Sequence, residues 1–293
     1  MRRVAYRAGM RSVASTVCLV LACVLPALAV ASWWAYGNAT DTARFTKTAA
    51  PLATDDTVQR AVAAELTDVA SARIDALGVP IPGGAAAVRG RIRTLADAVV
   101  QTAAYRSAWR AIQRTAHARL AARLDGDVTA PLTLDLAPVA AVLQQRVRAA
   151  GLGAVADAIV DPEPVVLLDR AEVREAHDWA DRVRIVRGIA IPGAVLALLG
   201  VLLTAGGLAR GLVRAGLCVG VSTLLLVGAG ALTRSSISTG GTAGDLRLAV
   251  YDVLTDPLHG WVVGGVIAAI ALVAAGAAAS AFTPGPARPA RGA

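Results

Sequence analysis

The chain has 293 residues, of which 56% are hydrophobic, and its formal net charge is +8. This basic balance does not indicate a nucleic-acid partner, because residues 37–184 carry 18 acidic and 18 basic side chains and are neutral. Cys18, Cys23 and Cys218 all lie within apolar runs, and no residues have the spacing of a zinc or redox site. We therefore expect neither a metal nor a cofactor.

Four apolar runs are long enough to cross a bilayer as helices. They are Ser12–Tyr36, Ile185–Gly207, Ala215–Leu232 and Gly260–Phe282. The second run has 23 residues, which as a helix extend over roughly 35 Å. Residues 37–184, between the first two runs, have the usual length of one domain. The sequence thus predicts an all-α membrane protein with four transmembrane helices and a helical domain between the first two.

The placement of charge predicts the orientation of these spans. All 21 acidic residues lie in two stretches, Asp41–Asp181 and Asp245–Asp256. The three remaining polar segments contain no acid and together carry eight arginines, which is the pattern of cytoplasmic segments. We expect a plasma-membrane protein with both termini cytoplasmic. The cytoplasmic segments are then 1–11, 208–214 and 283–293, and the outer segments are 37–184 and 233–259.

The first apolar run allows a second interpretation. Ala29-Val30-Ala31 resembles a signal-peptidase site, so residues 1–31 could be removed as a signal peptide. A membrane span over 12–36 is preferred, because the run is about twice the usual length of a signal-peptide core. Trp33 and Trp34 then lie at the outer interface, where tryptophan is enriched.

Residues 37–184 have the pattern of helices joined by turns. Thr40 is expected to cap a short helix, Thr54 or Asp55 the next, and Val58, Val62, Leu66 and Val69 mark the buried face of that second helix. A longer helical region ends at Asp125-Gly126-Asp127. The segments Val128–Leu134 and Val165–Leu168 are candidates for a small two-stranded β-ribbon, and the helix between them ends at Gly151.

A polar amphipathic helix leads into the second span. Asp169 followed by Glu172 is a capping box. Val173, Ala176, Ala180 and Val183 then follow at helical spacing, and no proline or glycine interrupts the chain before Gly188. The sequence therefore predicts one continuous helix from the domain into the membrane.

The outer connector 233–259 contains a second amphipathic helix, from Asp245 to Leu254. Its apolar face carries Leu246, Val250 and Val253. This face has to lie either on the lipid surface or on the helical domain.

Several short motifs resemble those of a group of uncharacterised actinobacterial integral membrane proteins. The similar residues are Asp41–Phe45, Ala50–Ala53, Val58-Gln59, Trp109, Arg114, Ala116-His117, Leu124–Asp127 and Leu134–Leu136. The resemblance covers most of the chain. It implies one N-terminal span, a helical extracytoplasmic domain and three C-terminal spans, and it implies no activity.

Arginines in the region Arg89–Arg123 give the best candidate for binding. Eight arginines stand there against the single acid Asp97, and Arg106, Arg110 and Arg114 recur every fourth residue, on one stripe of a helix. Internal pairing with the acid-rich segment Asp125–Asp181 is the preferred interpretation. The alternative is an exposed surface for lipid headgroups, an anionic polymer or a protein partner.

No residue pattern supports catalysis. His117 and His177 are expected to be interface histidines satisfied by carboxylates, and a shared metal between His177 and Asp181 is disfavoured. Gly216 and Gly220 form a GxxxG pair, whose preferred use is packing within the bundle, with self-association as the alternative.

We therefore expect a non-enzymatic envelope protein that binds membrane lipids and a protein partner in a sensing or assembly role. A transporter or channel subunit is the alternative, although the spans contain no Asp, Glu, Lys or His. An envelope enzyme with a site near His117 and His177 comes third.

Overall fold

The computed structural model describes residues 2–77, 85–126, 131–134, 137–149, 151, 153, 156, 165–237 and 242–281. These residues are almost entirely helical. The helices are α1 (Arg2–Thr40), α2 (Thr42–Ala49), α3 (Asp56–Leu77), α4 (Ala85–Val100), α5 (Ala103–Asp125), α6 (Ala137–Ala149), α7 (Arg170–Thr204), α8 (Leu208–Ile237) and α9 (Thr242–Ala281). A short 3-10 helix, Ala50–Thr54, lies between α2 and α3, and the strands are β1 (Leu132–Leu134) and β2 (Val165–Leu168).

Four of these helices, α1, α7, α8 and α9, are long and apolar enough to cross a membrane. The four-span architecture predicted from the sequence is confirmed at this level, and it is that of a multi-pass membrane protein. The chain divides into two compact units. The span unit is Met1–Ala35, Arg182–Thr233 and Pro257–Ala293, and the polar unit is Tyr36–Asp181 and Arg234–Asp256.

In the span unit, small residues let α1 approach α7 and α8. Ala22 is completely buried in a cluster with Ala197, Val201 and Cys218. Gly200 faces the side chain of Cys18 so closely that an added Cβ would lie 2.8 Å from its sulfur. Alanine, glycine and cysteine at these positions permit close backbone approach, which drives helix association where no hydrophobic effect operates.

Helices α8 and α9 are joined in the same way. A Cβ on Gly216 would lie 2.8 Å from the backbone oxygen of Ala269, and a Cβ on Gly220 would be 3.8 Å from the Ala269 side chain. The GxxxG pair therefore packs within the chain, which is the use preferred from the sequence. Self-association through the same two glycines would have to displace α9 from them.

The turn between α7 and α8 differs from the expected loop 208–214. Helix α8 already begins at Leu208, and the turn consists of Ala205–Gly207 alone. Gly206 and Gly207 have φ angles of 67° and 155°, which only glycine adopts without strain. Two glycines thus reverse the chain in three residues, and Arg210 and Arg214 become helical.

Two apolar clusters build the core of the polar unit. In the first, Tyr105 and Val147 are completely buried and pack with Ala96, Val99 and Ile112, so that α4, α5 and α6 meet there. The long helical region predicted from the sequence is interrupted at Gln101–Thr102. The Thr102 side chain accepts a hydrogen bond from the Tyr105 backbone N–H at 3.1 Å and so caps α5.

The N-terminal caps identify which of the expected residues start each helix. Asp41, rather than Thr40, accepts from the Arg44 backbone N–H at 3.0 Å, because the Thr40 hydroxyl donates back to Tyr36. Asp55 caps α3 through its contacts with the N–H groups of residues 57 and 58. In both cases a carboxylate next to the helix N-terminus is favoured by the helix dipole.

The capping box of α7 forms as predicted. Asp169 accepts hydrogen bonds from the backbone N–H groups of Ala171 and Glu172 at 2.7 and 2.8 Å, and the Glu172 carboxylate accepts from the Asp169 N–H. Val173 and Ala180 are buried, as their spacing indicates. The helix then continues without a break to Thr204.

The buried face of α3 is predicted only in part. Val58 is buried, but Val69 is 40% exposed, and the smaller residues Ala63 and Ala70 are buried instead. Helix α3 packs extensively against α4, and alanines permit the close approach that a valine would prevent.

The strands β1 and β2 form one antiparallel pair, with Thr133 opposite Val166 and Leu134 opposite Val165. An irregularity in the pairing lies between Leu132 and Thr133. The upstream part of the expected strand, residues 128–130, lies outside the described residues, as do Asp127 and Asp135. Helix α6, which separates the strands, is closed by Gly151 at a φ of 79°.

The amphipathic start of α9 packs on protein rather than lipid. Leu246, Val250 and Val253 contact a cluster of Ala49, Leu52 and Val58, which come from α2, the 3-10 helix and α3. Arg234 near the end of α8 forms a bidentate pair with Asp252, at 2.8 and 2.9 Å. The sequence allowed the apolar face of this helix to lie on the lipid surface or on the helical domain, and in the structure it packs on the helical domain. The structure also joins the amphipathic helix and the fourth span into one helix through Pro257.

A substitution at Gly216 tests the packing of α8 on α9. We expect Gly216→Ala to lower the free energy of unfolding by roughly 1–3 kcal/mol, because its methyl group would overlap the rigid Ala269 carbonyl. Gly228 on the same helix is the matched control, since a Cβ there meets nothing within 4 Å. Thermal unfolding of the full chain in detergent measures both. Equal stability of the two variants would contradict the packing role of Gly216.

Candidate binding surface on helix α5

Helix α5 carries the three arginines that the sequence indicates as a binding stripe. Arg110 and Arg114 are exposed and Arg106 is half-buried. Residues four apart in an α-helix are about 6 Å apart along the axis, so the stripe extends over roughly 12 Å. The opposite side of the same helix buries Tyr105 and Ile112. Core packing therefore fixes the helix and leaves the guanidinium groups at the surface.

The contacts of these arginines are with backbone carbonyls. Arg106 donates to the carbonyl of Gln101 at 3.2 Å, and Arg110 donates to the carbonyl of Arg106, also at 3.2 Å. Arg114 makes no hydrogen bond to any residue that the structure describes. These three arginines are thus not paired with the acids that the structure describes. Five of the eleven acids in Asp125–Asp181 lie outside the described residues (Asp127, Asp135, Asp157, Asp161 and Glu163), so internal neutralisation of the whole region stays a prediction.

A small pocket lies on a different side of α5. Its volume is about 70 Å³, enough for roughly two water molecules. Arg119, Thr133 and Pro138 contribute to its wall together with residues of α5, but none of the three stripe arginines does. The stripe is therefore separate from this pocket, and we call Arg106, Arg110 and Arg114 the arginine ridge.

His117 holds the end of α1 against α5. Its Nε2 donates to the carbonyl of Asn38 at 2.7 Å, and its Nδ1 lies 3.1 Å from the hydroxyl of Thr42. Phe45 stacks on the imidazole, with ring centres 4.2 Å apart. Asn38 is among the last four residues of α1, whose carbonyls have no partner within the helix. His117 is thus satisfied by a helix-end carbonyl and a hydroxyl, where the sequence predicted a carboxylate.

Burial lowers the pKa of His117 below its ordinary value of 6.5, against the opposing effects of the Asn38 carbonyl and the Asp41 carboxylate. The neutral imidazole is therefore the form that the folded protein favours. In its neutral form, with the proton on Nε2, the ring can accept the Thr42 hydroxyl proton at Nδ1. Both nitrogens of the ring are then in use.

His177 has the same structural role at another helix end. Its Nδ1 donates to the carbonyl of Leu124, which lies in the last turn of α5, at 2.8 Å. Its Nε2 is 3.6 Å from the carboxylate of Asp181, one turn further along α7. In this case the sequence-based expectation of a carboxylate neighbour is correct.

The two histidines bind different carbonyls from different helices. Among the described residues, no group of three or more His, Cys, Asp and Glu side chains is placed to hold a metal ion. The partners of His117 at Asn38 and Thr42 were missed from the sequence. They lie 79 and 75 positions away, and no local pattern links such distant positions.

Comparison with known proteins identifies no similar protein. No family model, no curated protein and no solved structure matches the chain.

Two substitutions at His117 test its role and its pH dependence. Because burial lowers the folded-state pKa below 6.5, the unfolded chain binds more protons at mildly acidic pH. The stabilisation is complete above pH 6.5 and is lost as the pH falls through the folded-state pKa. At pH 8 we expect His117→Leu to lower the free energy of unfolding by roughly 1–3 kcal/mol, because the Asn38 carbonyl loses its donor.

His117→Gln is the matched control, since its amide retains a donor toward Asn38 but does not titrate. It should be more stable than His117→Leu at pH 8, and its advantage over the leucine variant should not change with pH. Relative to both variants, the wild type should lose stability as the pH falls below 6.5 toward the lowered folded-state pKa of His117. Thermal unfolding of the full chain across this range measures all three. A wild-type pH profile parallel to that of the glutamine variant would disprove the assignment.

Proposed function

We propose that the protein is a plasma-membrane binding or scaffold protein whose polar unit is extracytoplasmic and recognises an anionic partner through Arg106, Arg110 and Arg114. The observation that carries this proposal is the arginine ridge, which has two exposed members and one half-buried member and no acidic partner among the described residues. A guanidinium group is always charged and matches carboxylate or phosphate oxygens with two parallel hydrogen bonds. A ridge of three such groups suits a partner with repeated negative charge.

The spacing of the ridge favours one class of partner. Successive guanidinium groups originate about 6 Å apart along one helix, which is also the spacing of carboxylates at every fourth residue of another helix. A single phosphate would engage one arginine or two. We therefore propose an acidic protein surface in the cell envelope as the partner, and an anionic polymer as the alternative that the same charges would bind.

Binding rather than catalysis is supported by the histidines. Both ring nitrogens of His117 lie against polar groups of the fold, and His177 donates to Leu124. These contacts occupy the side chains that an envelope enzyme, the third class considered, would have used near this site. A transporter or channel subunit has less support, because the four apolar runs contain no Asp, Glu, Lys or His.

The orientation follows from the positive-inside rule and belongs to the same proposal. The extracytoplasmic domain then comprises the polar unit with its two-stranded ribbon, and the termini and the turn at Gly206 are cytoplasmic.

Truncation fusions to alkaline phosphatase test this orientation. Fusion after Gly126, in the polar unit, should be active, and fusion after Gly206 should be inactive, because the enzyme folds only outside the cytoplasm. A matched pair of fusions to a fluorescent protein that folds only in the cytoplasm should show the reverse. Activity at Gly206 would overturn the proposed topology.

Replacing the three stripe arginines by glutamine tests the binding site. An exposed ion pair contributes roughly 0.2–1 kcal/mol, so the triple variant should bind its partner roughly 3- to 140-fold more weakly. Crosslinking in native membranes, followed by affinity measurement with the captured partner at several salt concentrations, gives the loss and its salt dependence. Wild-type binding should weaken with salt more steeply than that of the variant.

A triple variant of Arg60, Arg170 and Arg174 is the control. These residues are also exposed in the polar unit, and the glutamine substitutions remove the same charge. If both triple variants weaken binding equally, the effect comes from net charge alone and the α5 ridge is not the site.

A further inference from the structure

A pocket of about 570 Å³ lies within the span unit, between α1, α8 and α9. Its volume is in the range of roughly 300–1,000 Å³ that is common for small-molecule sites. Its wall includes Pro26 from α1, Ser222 and Thr223 from α8, and Trp261 and Gly264 from α9. The rest of the lining consists of apolar side chains, glycines and a second helical proline.

Of the two hydroxyl groups in this wall, only that of Ser222 does not donate a hydrogen bond to a described residue. Thr223 donates to the carbonyl of Val219 at 2.9 Å, four residues earlier, and Thr204 makes the corresponding bond to Gly200. This is the usual arrangement for a hydroxyl in a membrane helix. Ser222 is only 3% exposed, yet its hydroxyl has no partner among the described residues. The Ser222 oxygen is not among the fully buried polar atoms that lack a partner, so it is accessible from the pocket that Ser222 lines. A hydroxyl that faces an apolar space is stabilised by an acceptor from a bound molecule.

Water is a poor occupant of this space. Each buried water molecule needs two to four polar partners, and a space of about 570 Å³ would have to hold many of them. The side chains of the wall offer only two donors that are not used within the described residues, the Ser222 hydroxyl and the Trp261 indole N–H. The medium around four apolar spans is hydrocarbon, so the molecule that is always available to enter is a lipid chain.

The aromatic residues indicate the end of the pocket nearest the lipid headgroups. Trp261 meets Trp33 edge to face, with ring centroids 5.3 Å apart. Tryptophan is enriched at the boundary between hydrocarbon and headgroups, where the ester groups of lipids also begin. From Trp261 to Ala268, the last lining residue of α9, the helix extends roughly 10 Å further along the pocket.

We propose that this pocket binds one acyl chain of a membrane phospholipid, with the Ser222 hydroxyl donating to the ester carbonyl of that lipid. The apolar wall provides the affinity for the chain, and Ser222 provides the single polar contact that distinguishes an ester from a bare hydrocarbon. The proposal does not depend on the arginine ridge of the polar unit.

Photo-crosslinking in nanodiscs tests this proposal. The full chain is placed in phosphatidylglycerol nanodiscs that contain a phosphatidylglycerol analogue with a diazirine in one acyl chain, and labelled peptides are mapped by mass spectrometry. We expect labels to concentrate on the pocket residues of α1, α8 and α9. Gly264→Leu should reduce this labelling at least fivefold, because its side chain enters open space within the pocket. Gly228→Leu is the control, since that glycine also faces open space but does not line the pocket.

The contact at Ser222 is tested separately with an ether-linked analogue that lacks the carbonyl. The wild type should prefer the ester over the ether by roughly two- to tenfold, the effect of one hydrogen bond. Ser222→Ala should lose this preference and remain folded, because it removes a donor that has no partner among the described residues. This measurement keeps the proposal testable even if Gly264→Leu fails to fold.

Two results would overturn the proposal. In the first, outward-facing residues such as Leu224 are labelled as strongly as the pocket residues. The labels would then come from lipid that surrounds the protein without a specific site. Crosslinks between two copies of the chain through α9, with a dimeric mass, would mean that a second copy covers the pocket.

Discussion

The hydrogen bond from His117 to the carbonyl of Asn38 holds the end of the first long helix in the polar unit. Every α-helix ends with carbonyl groups that have no partner within the helix. In this chain an imidazole satisfies one of them at the end of α1, and a second imidazole, from His177, satisfies one at the end of α5. Two of the three histidines of the sequence thus bind carbonyl groups at helix ends.

Each of the four long helices has one end in the polar unit, and each of these ends is fixed there by contacts of its own. The start of α7 is fixed by its capping box and by the burial of Val173. The end of α8 is held to the start of α9 by the pair of Arg234 and Asp252. The start of α9 is packed on the 3-10 helix and α3. The polar unit is therefore built from the ends of the spans together with the residues between them, and it is more than an insertion between two of them.

The two units are held together internally by different forces. In the polar unit, large side chains such as Tyr105 and Ile92 are buried, and removal of apolar area from water stabilises the core. In the span unit, many leucines and isoleucines are exposed at the surface, and glycine, alanine and cysteine lie at the closest contacts between helices. Hydrocarbon solvates leucine as well as a protein interior does, so only close packing distinguishes the folded arrangement there.

The sequence by itself determined the four spans, most of the helices, the capping box at Asp169 and the stripe of arginines. Each of these depends on residues within a few turns of one another, where periodicity and capping chemistry act directly. The tertiary structure decided what lies against each surface. Leu246 packs on protein, and Ala63 and Ala70 are buried where the sequence predicted Val69. His117 binds a carbonyl 79 positions away, and the arginine ridge has no acidic partner among the described residues. Such pairings join residues that are distant along the chain, and no local property of the sequence records which of many compatible partners a residue will meet.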